Sequence, residues 1–184
     1  MRKQLLALAI AGLSATALVV APTAHAEPAG TDTTFVLTAA GGLSVSAPAA
    51  AELSAGTATN AGTLAAQLGA VTVTDLQGSL LGTWTASVTS TDFTTGDETE
   101  DETIGKANVA YWSGAPTAFT GVAVFTPGQL TGLLAEDLSA SRTAFEATAT
   151  VGNNSATWNP TVVVTVPSSA VVGTYSGTIT HSVA

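Results

Sequence analysis

Polar and apolar residues alternate along most of the chain, and Gly or Pro interrupts the alternation at short intervals. In 83–89, for example, Trp84, Ala86 and Val88 fall on one face of an extended chain, while Thr or Ser falls on the other. A period of two residues predicts β-strands with one buried face. The segments that predict strands are 33–38, 43–47, 71–76, 83–89, 119–126, 145–151, 161–166 and 174–183. Together they predict an all-β fold, an antiparallel two-sheet β-sandwich of about eight or nine strands.

Three segments depart from simple alternation. The run 119–126 is apolar at both odd and even positions, which predicts a central strand covered on both faces. Segments 63–68 and 133–138 could each form a turn or two of helix, but both are too short for a core helix.

The first residues have the pattern of an export signal. Arg2 and Lys3 form a basic start, an apolar stretch covers 5–21, and Ala-His-Ala at 24–26 offers the small-x-small pattern that signal peptidase cleaves. We therefore predict a secretory signal peptide over 1–26 that is removed from the mature protein.

A transmembrane helix is the alternative for the same residues. Gly12, Ser14 and Thr16 interrupt the apolar run, which also falls short of the roughly 20 residues that a bilayer requires. We expect no membrane span after signal cleavage, and a single domain over 27–184. The expected location is secreted, either released or associated with the cell surface or cell wall.

Charge and cysteine content exclude several classes of protein. The chain has 13 acidic and 4 basic residues, for a formal net charge of −9, and it contains no Cys. Proteins that bind nucleic acid need basic residues to displace counterions, so we expect no nucleic-acid partner. Without cysteine there is no disulfide framework, no thiolate metal site and no thiol nucleophile.

The residues required for catalysis are sparse. After signal cleavage His181 is the sole histidine, and it lies on the inward-facing side of the last predicted strand. We interpret it as a packed side chain or one at the rim, because no Gly-x-Ser-x-Gly turn accompanies it. A carboxylate pair of a glycosidase is the other option, but sequence spacing selects no pair. We predict that the protein is not an enzyme.

The segment 97–102, Asp-Glu-Thr-Glu-Asp-Glu, places five carboxylates within six residues. Carboxylate oxygens suit Ca²⁺, so an ordered calcium loop is one interpretation. The other is a solvated acidic run, since the spaced Asp-x-Asp-x-Asp-Gly pattern is missing. We assign no cofactor and no metal ligand here, and calcium at 97–102 stays an open alternative.

The three tryptophans are candidate binding residues. Each could stack on a carbohydrate or anchor the core. Trp84 alternates with Ala86 and Val88, which favours burial, whereas Trp112 lies near a strand end, where exposure is plausible. Trp158 precedes Asn-Pro and could close one end of the fold. With His181, these three tryptophans form the set of candidate binding residues.

Four segments together resemble the WxL family, cell-surface domains of Gram-positive bacteria that are named for two Trp-x-Leu tripeptides. The segments are GLSVSAP at 42–48, VTVTDLQG at 71–78, GTWTASV at 82–88 and VTVP at 164–167, the last followed by Gly-Thr-Tyr at 173–175. They occur in the order of the family pattern. The chain departs from it at Ala86, where Leu is expected, and at 181–183, where His-Ser-Val replaces the second tripeptide.

The resemblance implies a domain that attaches non-covalently to the cell wall, with peptidoglycan as its ligand. The composition, rich in Ala, Thr and Gly and poor in Lys, is similar to that of actinobacterial secreted proteins. We expect an exported, non-catalytic cell-surface protein whose partners are cell-wall glycan or other surface proteins. The alternative function is protein–protein interaction, as an assembly subunit of a surface complex in which a sheet edge recruits a partner strand.

Overall fold

The structure, a computed structural model, describes residues 42–53 and 62–184. Its described part contains twelve strands, three short 3₁₀ turns and no α-helix. The predicted all-β, antiparallel character is therefore confirmed. The predicted signal peptide over 1–26 and the predicted strand over 33–38 lie outside the described residues.

The strands vary from two to seventeen residues. In chain order they are β1 (Leu43–Ser46), β2 (Thr63–Gln67), β3 (Val71–Asp75), β4 (Leu80–Ser90), β5 (Phe93–Thr94), β6 (Thr103–Ile104), β7 (Val109–Trp112), β8 (Pro116–Pro127), β9 (Glu136–Asp137), β10 (Arg142–Trp158), β11 (Thr161–Thr165) and β12 (Ile179–Val183).

The strands form one large sheet, one smaller sheet and a hairpin. The large sheet has the order β1-β3-β10-β4-β12, and β8 pairs with the other side of β10. Its two end strands, β1 and β12, come close to each other, so the sheet is nearly closed. The smaller sheet has the order β2-β11-β7-β9, and β5 pairs with β6. The architecture is therefore barrel-like, and not clearly the two-sheet sandwich that the alternation predicts.

The longest strand, β10, is the central element of the large sheet. Its first half pairs with β4, its second half pairs with β3, and β8 follows its opposite side. Ala149 and Gly152 have positive φ angles of 52° and 69°, close to shifts in the pairing register. Such bulges bend a strand without ending it. The prediction that this strand ends at 151 was wrong for that reason.

The prediction for 119–126 was also wrong. This run lies in β8, which is an edge strand: within the described residues β8 pairs only with β10, and residues 117–122 are all exposed. The apolar sequence of β8 resembles that of a buried strand. Its position at the edge follows from long-range pairing, which a local pattern does not contain.

The two short segments that could be helical adopt other structures. Residues 63–67 form β2, an outer strand of the smaller sheet, and 132–134 form a single 3₁₀ turn ahead of β9. Over the described residues, no helix has the length and apolar character needed to cross a membrane.

The core is built around aromatic rings held between the two sheets. Phe145 stacks on Trp158, with ring centroids 4.8 Å apart, and Trp84 lies 6.4 Å from Phe145 on its other side. All three rings are at most 2% exposed. Aromatic side chains bury about 150–250 Å² each, so this cluster is a major source of the fold's stability.

Candidate functional site

Trp84, a candidate binding residue, lies inside the protein. Its indole Nε1 donates to Asn154 Oδ1 at 2.9 Å, and Asn154 Nδ2 donates to Asp75 Oδ2, also at 2.9 Å. The second oxygen of Asp75 accepts from the backbone N–H of Gln77. Trp84, Asp75 and Asn154 are at most 3% exposed, so each buried polar group has a partner from the chain itself. In this conformation a ligand has no access to the ring.

Trp158 and His181 lie together in a second buried chain of hydrogen bonds. Trp158 Nε1 donates to Tyr111 Oη at 3.0 Å, and Tyr111 Oη is 3.1 Å from His181 Nε2. Burial raises the pKa of Tyr111, so its hydroxyl stays protonated. The tautomer of the neutral imidazole sets which of the two groups donates in this hydrogen bond.

The charge state of His181 follows from the same burial. Desolvation lowers the pKa of His181 to about 4, so the ring is neutral at neutral pH. Its Nδ1 is buried and has no hydrogen-bond partner among the described residues. Neither nitrogen can therefore take a proton from a substrate without a rearrangement.

A small cavity of about 160 Å³ lies beside His181. Its walls are mostly apolar, with Ala and Pro from 47–51 and the side chains of Leu68 and Phe93 among them. Among the described residues the lining contains no carboxylate and no serine, and Thr178 is its one hydroxyl residue. The described lining therefore offers no carboxylate to act with His181 as an acid–base pair.

Trp112, the third tryptophan, is partly exposed at the end of β7. Two glycines lie against its ring: a Cβ added to Gly114 would be 3.6 Å from the ring, and one added to Gly132 would be 3.5 Å from Nε1. The loop that contains Gly132 exposes three leucines: Leu130 at 51%, Leu133 at 98% and Leu134 at 58%. We call Trp112 with these three leucines the Trp112 surface.

One buried side chain fixes the loop of the Trp112 surface. Gln129 is 3% exposed, and its Nε2 donates to Glu136 Oε2 at 2.8 Å and to the Thr143 carbonyl at 3.0 Å. Its backbone N–H donates to Ser113 Oγ, and its carbonyl accepts from Gly114 N–H. The backbone N–H and the carbonyl of Gln129 thus both bind the two residues that follow β7, Ser113 and Gly114. A surface held in this way loses little conformational entropy when it binds.

The acidic segment 97–102 lies in the connection between β5 and β6. The carboxylate of Glu102 accepts three hydrogen bonds, from Thr99 Oγ1 at 2.7 Å, Thr99 N and Asp97 N. These bonds, that from the Thr99 side chain first, lower the pKa of Glu102. In the part of the chain that the structure describes, no three His, Cys, Asp or Glu side chains are grouped to hold a metal ion. Calcium at 97–102 stays an open alternative.

A second exposed apolar surface lies along β8. Val122 is 65% exposed and is paired with Val151 of β10, which is itself paired with Leu80 of β4. Phe119 is paired with the buried Ala156 and so faces the inner side of the sheet, yet it is 62% exposed. We call residues 117–126 the β8 edge.

Trp112 is the last residue of β7 and is partly exposed, and its role as a binding residue stays a prediction. The sequence pattern does not reveal Gln129, because it is a lone polar residue in a loop. Nor does the pattern reveal the β8 edge, because its residues have the pattern of a buried strand. Compared with known protein families, curated proteins and solved structures, the chain has no match.

Proposed function

We propose that this is an exported, non-catalytic cell-surface protein that associates non-covalently with peptidoglycan through the Trp112 surface. The signal-peptide pattern over 1–26 supports export, and the WxL-like segments support the cell wall as the location. The mature domain extends over 27–184.

The observation that supports glycan binding most directly is the partial exposure of Trp112, the one tryptophan that is not buried. An indole presents a flat apolar face and one N–H donor, a combination suited to the C–H face and hydroxyl groups of a sugar ring. Trp84 and Trp158 are 2% and 0% exposed, so neither offers such a face. The surrounding leucines add apolar area, and Gln129 keeps the loop in place.

A single tryptophan binds a sugar weakly, and weak binding at each site is sufficient for attachment to a repeating polymer. A wall polymer repeats the same disaccharide many times, so several weakly bound copies can share one strand of glycan. Effective concentration then raises the overall affinity without any new contact.

The arrangement of His181 supports a function without catalysis. A general base needs a nitrogen within hydrogen-bond reach of the proton it removes. Here Nε2 is hydrogen-bonded to Tyr111, and Nδ1 is buried. The part of the neighbouring cavity that the structure describes has no serine or carboxylate in its lining.

Binding to purified peptidoglycan tests the proposal. We expect the wild-type protein to sediment with the insoluble polymer and Trp112→Ala to reduce the bound fraction about tenfold, the size typical of losing an aromatic anchor. Leu133→Ser, at a residue that is 98% exposed, should weaken binding without affecting folding. Val172→Ser, also at a residue 98% exposed but in a different loop, is the matched control and should bind normally.

Two results would contradict glycan binding. One is enrichment no greater than that of an unrelated acidic protein. The other is equal binding by Trp112→Ala and the wild type. Export is tested separately, because the protein recovered from outside the cell should begin at Glu27.

A further inference from the structure

We infer that the β8 edge is an assembly surface, at which β8 pairs in antiparallel fashion with β8 of a second copy of this chain. This inference is independent of peptidoglycan binding, because the two surfaces share no residue.

The first argument is the state of the strand's backbone. Within the described residues β8 pairs only with β10, which leaves one side of a twelve-residue strand open to a partner. Edge strands are normally protected by charged residues, by Pro, by bulges or by very short length. β8 is twelve residues long, has no charged residue, and contains Pro only as its first and last residue. Gly121, with φ at 80°, is its main irregularity.

The second argument is an inward-facing aromatic that stays mostly exposed among the described residues. Even-numbered residues of β8, such as Val122, share the outer face with Val151, and odd-numbered residues share the inner face with the buried Ala147 and Ala156. Phe125 on the inner face is partly buried against Trp84, but Phe119 on the same face is 62% exposed. An additional strand beside β8 would extend the sheet next to Phe119 and reduce its contact with water.

The third argument is the distribution of charge. The stretch of β10 that faces 117–124 of β8 contains no ionisable residue, and Glu146 is paired with Thr126 near the end of the strand. The acidic segment 97–102 follows the end of β4 at Ser90, whereas Leu80, at its other end, is paired with Val151, the partner of Val122. The paired stretch itself thus has no charge that would oppose a second copy. Repulsion between acidic residues elsewhere on the two copies acts through solvent, where physiological salt screens it over about 8–10 Å.

These features select a partner that is itself an uncharged, extended, partly apolar strand, and a second β8 meets each requirement. Antiparallel pairing across a two-fold axis places the same strand on both sides, so one surface complements itself. If the axis passes beside Val122, Phe119 of one copy lies opposite Phe125 of the other, and aromatic cross-strand pairs are favourable. A contact of one strand per copy is smaller than a standard interface, so we expect a weak dimer.

Sedimentation of the exported protein from about 1 to about 500 μM tests the inference over the range expected for a weak interface. We expect the average mass to rise from one chain toward two. Val122→Lys, which places like charges near each other across the axis, should raise the dimer dissociation constant at least tenfold. Val172→Lys, which adds the same charge outside β8, should dimerise as the wild type does.

A monomer at every concentration, or the same dissociation constant for Val122→Lys and Val172→Lys, would overturn the inference. So would masses that pass two copies, because a two-fold pair is closed. If Val122→Lys does not fold, Val124→Lys replaces it, at an outward-facing position that is 58% exposed. Peptidoglycan binding by Val122→Lys should equal that of the wild type, so either proposal can fail while the other stands.

Discussion

Two neighbouring strands, β10 and β8, contain similar residues but have opposite surroundings. Both contain several Ala and Thr residues as well as Val and Phe, and they pair with each other along most of their length. Phe145 of β10 is 0% exposed between two aromatic neighbours, while Phe119 of β8 is 62% exposed. The difference lies in what covers each strand, because the smaller sheet and a paired strand on each side enclose β10. Apolar composition alone does not decide burial.

The same substitution at these two phenylalanines gives the largest contrast. Phe145→Ala opens a cavity between Trp84 and Trp158 and should lower the free energy of unfolding by about 3–5 kcal/mol. Phe119→Ala removes a ring that is mostly in water and should cost less than about 1 kcal/mol. Chemical denaturation of the dilute protein measures both. Similar losses at the two positions would show that β8 is as well covered as β10.

Adjacent asparagines in β10 allow a second comparison, of intermediate size. Asn154 is 2% exposed and links Trp84 Nε1 to Asp75, whereas Asn153 is exposed. Asn154→Ala leaves a buried indole N–H and a buried carboxylate oxygen without partners, which should cost about 2–3 kcal/mol. Asn153→Ala should change the free energy of unfolding by less than about 0.5 kcal/mol.

If Asn154→Ala lowers the free energy of unfolding no more than Asn153→Ala does, water replaces the missing amide of Asn154. Asn154→Asp is a useful further variant, because it preserves shape while placing a second carboxylate beside Asp75. Two like charges that share a buried site repel, so this variant should be at least as unstable as Asn154→Ala.

These contrasts also explain which parts of the fold the sequence predicts. Alternation correctly places β1, β3 and β4, because each has one face toward the core and the other toward polar surroundings or solvent. The Val-rich run over 161–166 correctly places β11, which is buried along most of its length. The sequence pattern fails for β8, whose edge position depends on which strands find each other over long sequence distances. It also fails within β10, where Gly152 and two asparagines resemble a turn but form a bulge around the buried Asn154.

The candidate binding residues also divide into those in alternating strands, which the sequence pattern places correctly, and those that depend on a loop. The parity of Trp84 predicts its burial, and that of His181 predicts its inward direction, since both lie in regularly alternating strands. The Trp112 surface depends on the loop over 128–135, which has no periodic pattern. Its leucines resemble the start of a short helix, and only the contacts of Gln129 show how the loop is held against β7.

The smallest expected effect comes from pH, which should distinguish the covered region from the β8 edge. His181 has a folded pKa near 4 and an unfolded value near 6.5, so the unfolded chain binds more protons between these values. Stability is therefore complete above pH 6.5 and falls as the pH decreases toward 4. Between pH 6.5 and 5.5, where exposed carboxylates remain ionised, the loss should be about 1 kcal/mol.

The control for this pH dependence is His181→Gln, whose amide oxygen can accept from Tyr111 but does not titrate. Thermal or chemical unfolding of this variant should show a flat profile between pH 6.5 and 5.5. The β8 edge contains no titratable side chain, so the dimer dissociation constant should stay constant across the same interval. If the free energy of unfolding changes equally with pH in the wild type and in His181→Gln, the pH dependence belongs to other groups. If the dimer dissociation constant changes together with the free energy of unfolding, the β8 edge and the core are coupled.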